Sequence, residues 1–169
     1  MSQLAANLFV EPGYVCLPAR PGRLWSVVAS GVIVTIFDRL KRRGGMGHYL
    51  RPFRQGGSST TFFAAPAIVS LVRMFEETGT PVRDLEAHLC GGAINPAATG
   101  YEIGQAENNV AAGRQLLAKL GVNLGGEDVG GGEARKIVFD AVTGQIVIAK
   151  VPRVRESDWY PPLPALEGH

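Results

Sequence analysis

The longest apolar run of the chain, Leu24-Trp-Ser-Val-Val-Ala-Ser-Gly-Val-Ile-Val-Thr-Ile-Phe-Asp38, is interrupted by Ala-Ser-Gly at 29–31. Val32, Ile33, Val34, Ile36 and Phe37 are β-branched or aromatic, which favours strand over helix. The pattern predicts a central pair of buried strands over about Arg23 to Asp38. Gly31 inside such a run predicts a bend or a close backbone approach. The simplest reading of the stretch is a core hairpin with a glycine kink. Gly45 to Leu50, which includes His48, reads as a further strand. Upstream, Tyr14-Val-Cys-Leu17 is a short strand. Pro18, Pro21 and Gly22 then force a turn, and residues 1–13 read as a lead-in with little structure.

After His48 the period changes. Residues 51–60 form a loop whose Ser-Ser-Thr-Thr end can cap a helix. Ala65, Ile68, Val69, Leu71, Val72 and Phe75 recur at helical spacing, which predicts a helix over 62–78. Pro66 suits its first turn and Gly79 its end. Leu85 to Ala93 alternates and then turns on two glycines, and 94–104 is a loop. A second helix is expected over 107–120, with Val110, Leu116, Leu117 and Leu120 on one side and Gly121 ending it. Strands follow at 122–129, 134–140 and 145–151, the last two joined as a hairpin by Ala-Val-Thr-Gly. The expected fold class is α+β: packed mixed sheets with two amphipathic helices outside. Residues 1–151 form one domain, and 152–169 a Pro-rich tail in which Trp159 and Tyr160 can pack back.

A chain of 169 residues with 46% hydrophobic and 19% charged residues is a single globular domain. The net charge of +2 and one short basic cluster, Arg39-Leu-Lys-Arg-Arg43, give no nucleic-acid footprint. The apolar run falls short of the ~20 residues that span a bilayer, and Met1-Ser-Gln-Leu-Ala-Ala lacks the basic start and apolar core of a signal peptide. A cytoplasmic protein without membrane insertion is expected. Cys16 and Cys90 have no repeated spacing, so neither a disulfide framework nor a zinc site is predicted. Gly130-Gly-Gly-Glu-Ala-Arg-Lys136 lacks the Gly-Lys-Ser/Thr ending of a phosphate loop, and no cofactor is expected.

Ser26-Val-Val-Ala-Ser-Gly-Val-Ile-Val-Thr-Ile-Phe-Asp38, followed by Gly45-Met-Gly-His48, resembles the signature of the chemoreceptor glutamine deamidases, the CheD family. Their pattern runs Thr-x-Leu-Gly-Ser-Cys-Val-x-Val-x-Leu-x-Asp, then Gly-Met-x-His. The likeness continues in Leu85-Glu-Ala-His-Leu-Cys-Gly-Gly-Ala93 and in Glu127-Asp-Val-Gly-Gly131 with Arg135-Lys136, so it covers about Gly13 to Val151. It implies a cysteine-hydrolase scaffold that converts receptor glutamine to glutamate in bacterial chemotaxis. The implied partners are chemoreceptor cytoplasmic helices, or a chemotaxis phosphatase or adaptor.

The resemblance also implies the site. His48 stands at the position of the family's base and Ser26 at that of its threonine. Gly31 stands where the family has its nucleophilic cysteine. A glycine has no side chain, so covalent catalysis from position 31 is excluded, although its N–H can still bind an oxyanion. Gly132 replaces an asparagine and Asn108 an arginine, while Asn109 is retained.

Two functions follow. One is a non-catalytic protein of the family that binds a receptor-like helix or an adaptor. The other is a hydrolase that uses Cys16, Ser26 or a water held by His48. A third possibility is that Gly31 was engineered from a cysteine, in which case the parent protein has the ordinary family function. Ser30 is a second hydroxyl, expected to point to the other side of the strand. Cys16 and Cys90 otherwise read as packing. Ser26 and His48 are expected on adjacent strands, facing a pocket floored by Ala29 to Gly31.

Overall fold

The computed structural model describes residues 6–53 and 60–152. The serines Ser58 and Ser59 and the tail after Pro152 lie outside the described residues. Among the described residues, nine strands and two α-helices run in the order β1 (Ala6–Phe9), β2 (Val15–Cys16), β3 (Gly22–Val28), β4 (Val32–Asp38), β5 (Arg43–Tyr49), α1 (Ala64–Glu77), β6 (Leu85–Gly91), α2 (Gln105–Leu120), β7 (Asn123–Val129), β8 (Ala134–Asp140) and β9 (Ile146–Val151), with one 3-10 turn at Val82–Asp84 before β6. They form two mixed sheets, ordered β1-β3-β8-β9 and β2-β5-β4-β6-β7. The α+β class holds, with both helices on one side of the five-stranded sheet.

Side-chain parity builds three layers. On β4, Val32, Val34 and Ile36 join Tyr49, Leu85, Ala87 and Leu89 against the helices. The alternate residue Ile33 joins Met46, Cys90, Leu24, Val28, Ile137 and Phe139 between the sheets. Both faces of β4 are therefore covered, so its sequence is nearly all apolar rather than alternating. Helix α1 buries Ala64, Ala67, Ile68, Leu71, Val72 and Phe75, and each large side chain among them contributes about 1.5–3 kcal/mol of burial. The glycines of β5 permit that contact: a Cβ on Gly45 would lie 2.8 Å from Leu71 Cδ1.

Three sequence expectations are corrected. Residues 1–13 were expected to have little structure, yet β1 pairs in parallel with β3, Leu8 opposite Leu24. Four residues are too few to show a period. The stretch 23–38 is not a hairpin, because β3 belongs to the four-stranded sheet and β4 to the five-stranded one. Ala29-Ser-Gly31 carries the chain across the sandwich. Helix α1 begins after Phe63 with no side-chain cap, and Thr61 Oγ1 donates instead to the Gly13 carbonyl. The hairpin of β8 and β9 is as expected, with antiparallel register from Ala134 opposite Val151 to Phe139 opposite Ile146. Among the described residues, no helix is long and apolar enough to cross a membrane.

Candidate active site

Ser26 and His48 meet, but not as neighbours in one sheet. Ser26 is on β3 and His48 on β5, in different sheets, and each side chain points into the space between them. Both are fully buried. Ser26 Oγ lies 3.2 Å from His48 Nδ1 and donates to the Val10 carbonyl at 2.6 Å. A hydroxyl has one proton. With that proton committed to Val10, Ser26 Oγ accepts from His48, so Nδ1 carries the ring hydrogen and Nε2 the lone pair. Burial pushes the His48 pKa down to about 3, because the charged ring would lose its hydration. His48 is thus a neutral imidazole at pH 7, with its basic nitrogen fixed by Ser26.

That nitrogen faces position 31. A Cβ built on Gly31 would lie 3.4 Å from His48 Nε2, 3.1 Å from Leu50 Cδ2 and 2.7 Å from the Tyr49 carbonyl oxygen. A side chain at 31 would therefore start beside the base. The last distance is shorter than real Cβ contacts, so the Tyr49 carbonyl occupies space that a side chain would need. Gly31 does not have a left-handed φ, and the constraint is this close approach rather than backbone strain.

Four polar contacts hold the crossover. The Ala93 N–H donates to the Ala29 carbonyl and the Gly92 N–H to the Gly31 carbonyl, each at 2.8 Å. Asn109 Nδ2 donates to the Ser30 and Leu50 carbonyls, each at 2.9 Å. Two carbonyl partners fix the orientation of that amide, since only its NH2 end can donate. Asn109 is fully buried and ties the turn before β4 to the end of β5. The sequence marked it only as a retained family residue. Its position in a helix, far from both partners in the chain, gave no sign of the clamp.

Arg135, 2% exposed, braces the adjoining wall. It donates to the Gly91 carbonyl at 3.3 Å, the Gly130 carbonyl at 2.9 Å and the Asp128 carboxylate at 3.0 Å. The Gly130–Gly132 turn thus serves as a wall, and Gly132 lines the groove it borders.

The groove has a volume of about 990 Å3 and is lined by Ser30, Gly31, Leu50, Arg51, Phe62 and Gln105 among others. Ala29, Ser30 and Gly31 line it. Neither Ser26 nor His48 is among its lining residues, contrary to the expectation that both face the pocket: both are fully buried, with Ser26 behind the imidazole on the Nδ1 side. Asn108 is exposed on α2.

The two cysteines stand apart from this arrangement. Cys16 pairs with Met46 on β5, two residues from His48, or roughly 7 Å along the strand. Burial pushes its thiol pKa up. Cys90 is 2% exposed, and burial together with the neighbouring Asp128 pushes its thiol up to about 11.

The family model described as CheD chemotactic sensory transduction matches residues 51–150. A probable chemoreceptor glutamine deamidase, CheD 2 of Geobacter sulfurreducens, is 30% identical over 148 residues, 87% of this chain and 91% of that protein. A probable chemoreceptor glutamine deamidase, CheD 1 of Methanosarcina acetivorans, is 35% identical over 131 residues, 76% of this chain and 81% of that protein. The chemoreceptor glutamine deamidase CheD of Thermotoga maritima is 32% identical over 125 residues, 73% of this chain and 78% of that protein.

Proposed function

The chain belongs to the CheD family of chemotactic sensory transduction, and on that premise we propose that it engages the receptor helices or adaptor of a chemotaxis system without deamidating them. The observation that carries this reading is the 3.4 Å between His48 Nε2 and the Cβ position of a residue that has no Cβ, Gly31. The tautomer and position of the ring suit a cysteine hydrolase, in which a neighbouring thiolate would raise the pKa that burial now holds near 3. The nucleophile is what this position lacks.

The chemistry explains why that matters. In glutamine deamidation a thiolate attacks the side-chain amide carbon. The C–N bond breaks, ammonia leaves with a proton from the imidazole, and water hydrolyses the thioester to the carboxylate. Glycine cannot take the first step. Family relatives are named for this reaction on chemoreceptors, and their substrates supply the ligand class proposed here: a helix presenting a glutamine side chain. His48, Ser26 and Gly31 are the proposed site residues, with the Gly31 N–H as the donor proposed for the amide oxygen. No cofactor enters this scheme, and a cytoplasmic location suits the partners.

The second reading, an active deamidase with another nucleophile, has weaker support. Ser26 lies behind the imidazole with its proton on Val10. Cys16 is displaced along β2 with a raised pKa. A water held by His48 would sit at a ring that is fully buried.

The test incubates the protein, in excess, with a receptor-type helical peptide carrying a central glutamine. The readouts are peptide binding and ammonia release. Binding without ammonia supports the proposal. Ammonia release lost in Cys16→Ala would establish the second reading in its place.

A further inference from the structure

Among the described residues that line the groove, Arg51 alone carries a formal charge. The rest of the wall is apolar, small or neutral, with Ser30, Asn95, Thr99 and Gln105 as its side-chain polar groups. A cation on this wall favours an anion on the ligand.

The backbone of Arg51 is fixed. Its N–H donates to the Phe62 carbonyl at 3.1 Å, and its carbonyl accepts from the Ala64 N–H at 3.0 Å, at the start of α1. The guanidinium reaches Glu102 with three N···O separations of 3.3 Å. Both side chains are open to solvent, 43% and 55% exposed, and an exposed pair of this kind contributes little. Glu102 therefore acts as a weak internal occupant of the arginine fork. A ligand carboxylate can replace it at small cost. The exchange strengthens as the ligand excludes water from the groove.

We propose that Arg51 makes this groove selective for a polypeptide segment that carries a carboxylate one helical turn from the glutamine presented to Gly31 and His48. The spacing follows from the strand. Arg51 is two residues beyond Tyr49, whose carbonyl abuts position 31, so the two points are roughly 7 Å apart by strand rise. One turn of an α-helix advances about 5.4 Å, a separation of the same order as that between the two backbone points. The ligand is thus an acidic helical segment, and Glu102 is the group it displaces. The inference rests on the receptor-helix reading above and adds the charge requirement.

Three helical peptides of the same length test it against the full chain by fluorescence anisotropy. One has a central glutamine with a glutamate one turn to either side. The second has glutamines in place of those glutamates, and the third has lysines. The glutamate peptide should bind about fivefold tighter than the neutral one at low salt, a preference typical of one exchanged ion pair. The lysine peptide should bind weakest. Arg51→Gln should abolish the preference while leaving the neutral peptide bound. Glu102→Gln should widen it by removing the internal competitor.

Equal binding of glutamate and glutamine peptides by the unaltered protein would overturn the charge requirement and leave the receptor-helix reading standing. A preference that persists in Arg51→Gln would overturn the assignment to Arg51. Failure of all three peptides to bind would contradict the receptor-helix reading and this proposal together.

Discussion

The His48 ring is held by a hydroxyl from the opposite sheet: Ser26 Oγ, on β3, sits 3.2 Å from Nδ1, while His48 itself is on β5. The pair links the two layers of the sandwich at the point where the chain crosses between them. The same hydroxyl is tied to the Val10 carbonyl at 2.6 Å. The N-terminal strand, the central strand and the base thus form one chain of contacts, and the orientation of the imidazole depends on all three.

Removing Ser26 should be felt as a lost buried partner. Ser26→Ala leaves the His48 Nδ1 proton and the Val10 carbonyl without their shared hydroxyl, a cost of about 1–3 kcal/mol. Ser26→Thr keeps the hydroxyl and should recover most of that loss. Urea denaturation of the three proteins measures both steps. Equal stability of the alanine and threonine variants would mean that the hydroxyl is not the relevant group.

His48 should give the fold an acid-sensitive window. Its folded pKa is lowered to about 3, against about 6.5 in an unfolded chain. Below pH 6.5 the unfolded state therefore binds the extra proton. Stability is fully present above that pH and is lost as pH falls toward 3, by up to about 1.4 kcal/mol per unit. His48→Asn keeps a donor toward Ser26 but does not titrate, so its stability should be flat from pH 6.5 to 4.5. Parallel slopes for the two proteins in that window would show that His48 is not the group responsible.

Asn109 should resist replacement more than its place on an amphipathic helix suggests. Asn109→Ala removes two hydrogen bonds, at about 1 kcal/mol each, and opens a small cavity. Asn109→Asp turns an acceptor-only carboxylate toward the Ser30 and Leu50 carbonyls and should cost several kcal/mol. The expected order of melting temperature is unaltered protein, alanine, aspartate. An aspartate variant as stable as the alanine one would argue that the clamp is not made.

The sequence carried the periodic parts of this architecture. Helix α1 buries Ile68, Leu71, Val72 and Phe75, which are apolar positions of its predicted stripe, and the β8–β9 hairpin follows from its alternation and its glycine turn. The motif order also placed Gly31 and His48 together before any geometry was known. Contacts between elements were beyond its reach. Nothing local in Ala29-Ser-Gly31 distinguishes a hairpin turn from a step between sheets, because both need small residues. Strand β1 is too short to show alternation, and its parallel partner lies beyond the intervening β2. The amide of Asn109 and the guanidinium of Arg51 meet groups about 50 or more positions away in the chain, and such pairings leave no periodic trace.

Position 31 offers the sharpest test of whether the site keeps hydrolase geometry and lacks only its nucleophile. Gly31→Ala should destabilise the fold by about 1–3 kcal/mol, since its Cβ meets the Tyr49 carbonyl, and it serves as the steric control. Gly31→Cys should bear the same cost while placing a thiol beside His48 Nε2. The deciding measurement is the pH profile of alkylation of that introduced thiol. Reaction is expected well below pH 8.5, the ordinary thiol range. It should be faster than at Cys16 or Cys90, and slowed when His48→Asn is added. A profile that follows an ordinary thiol and is indifferent to His48→Asn would contradict the account.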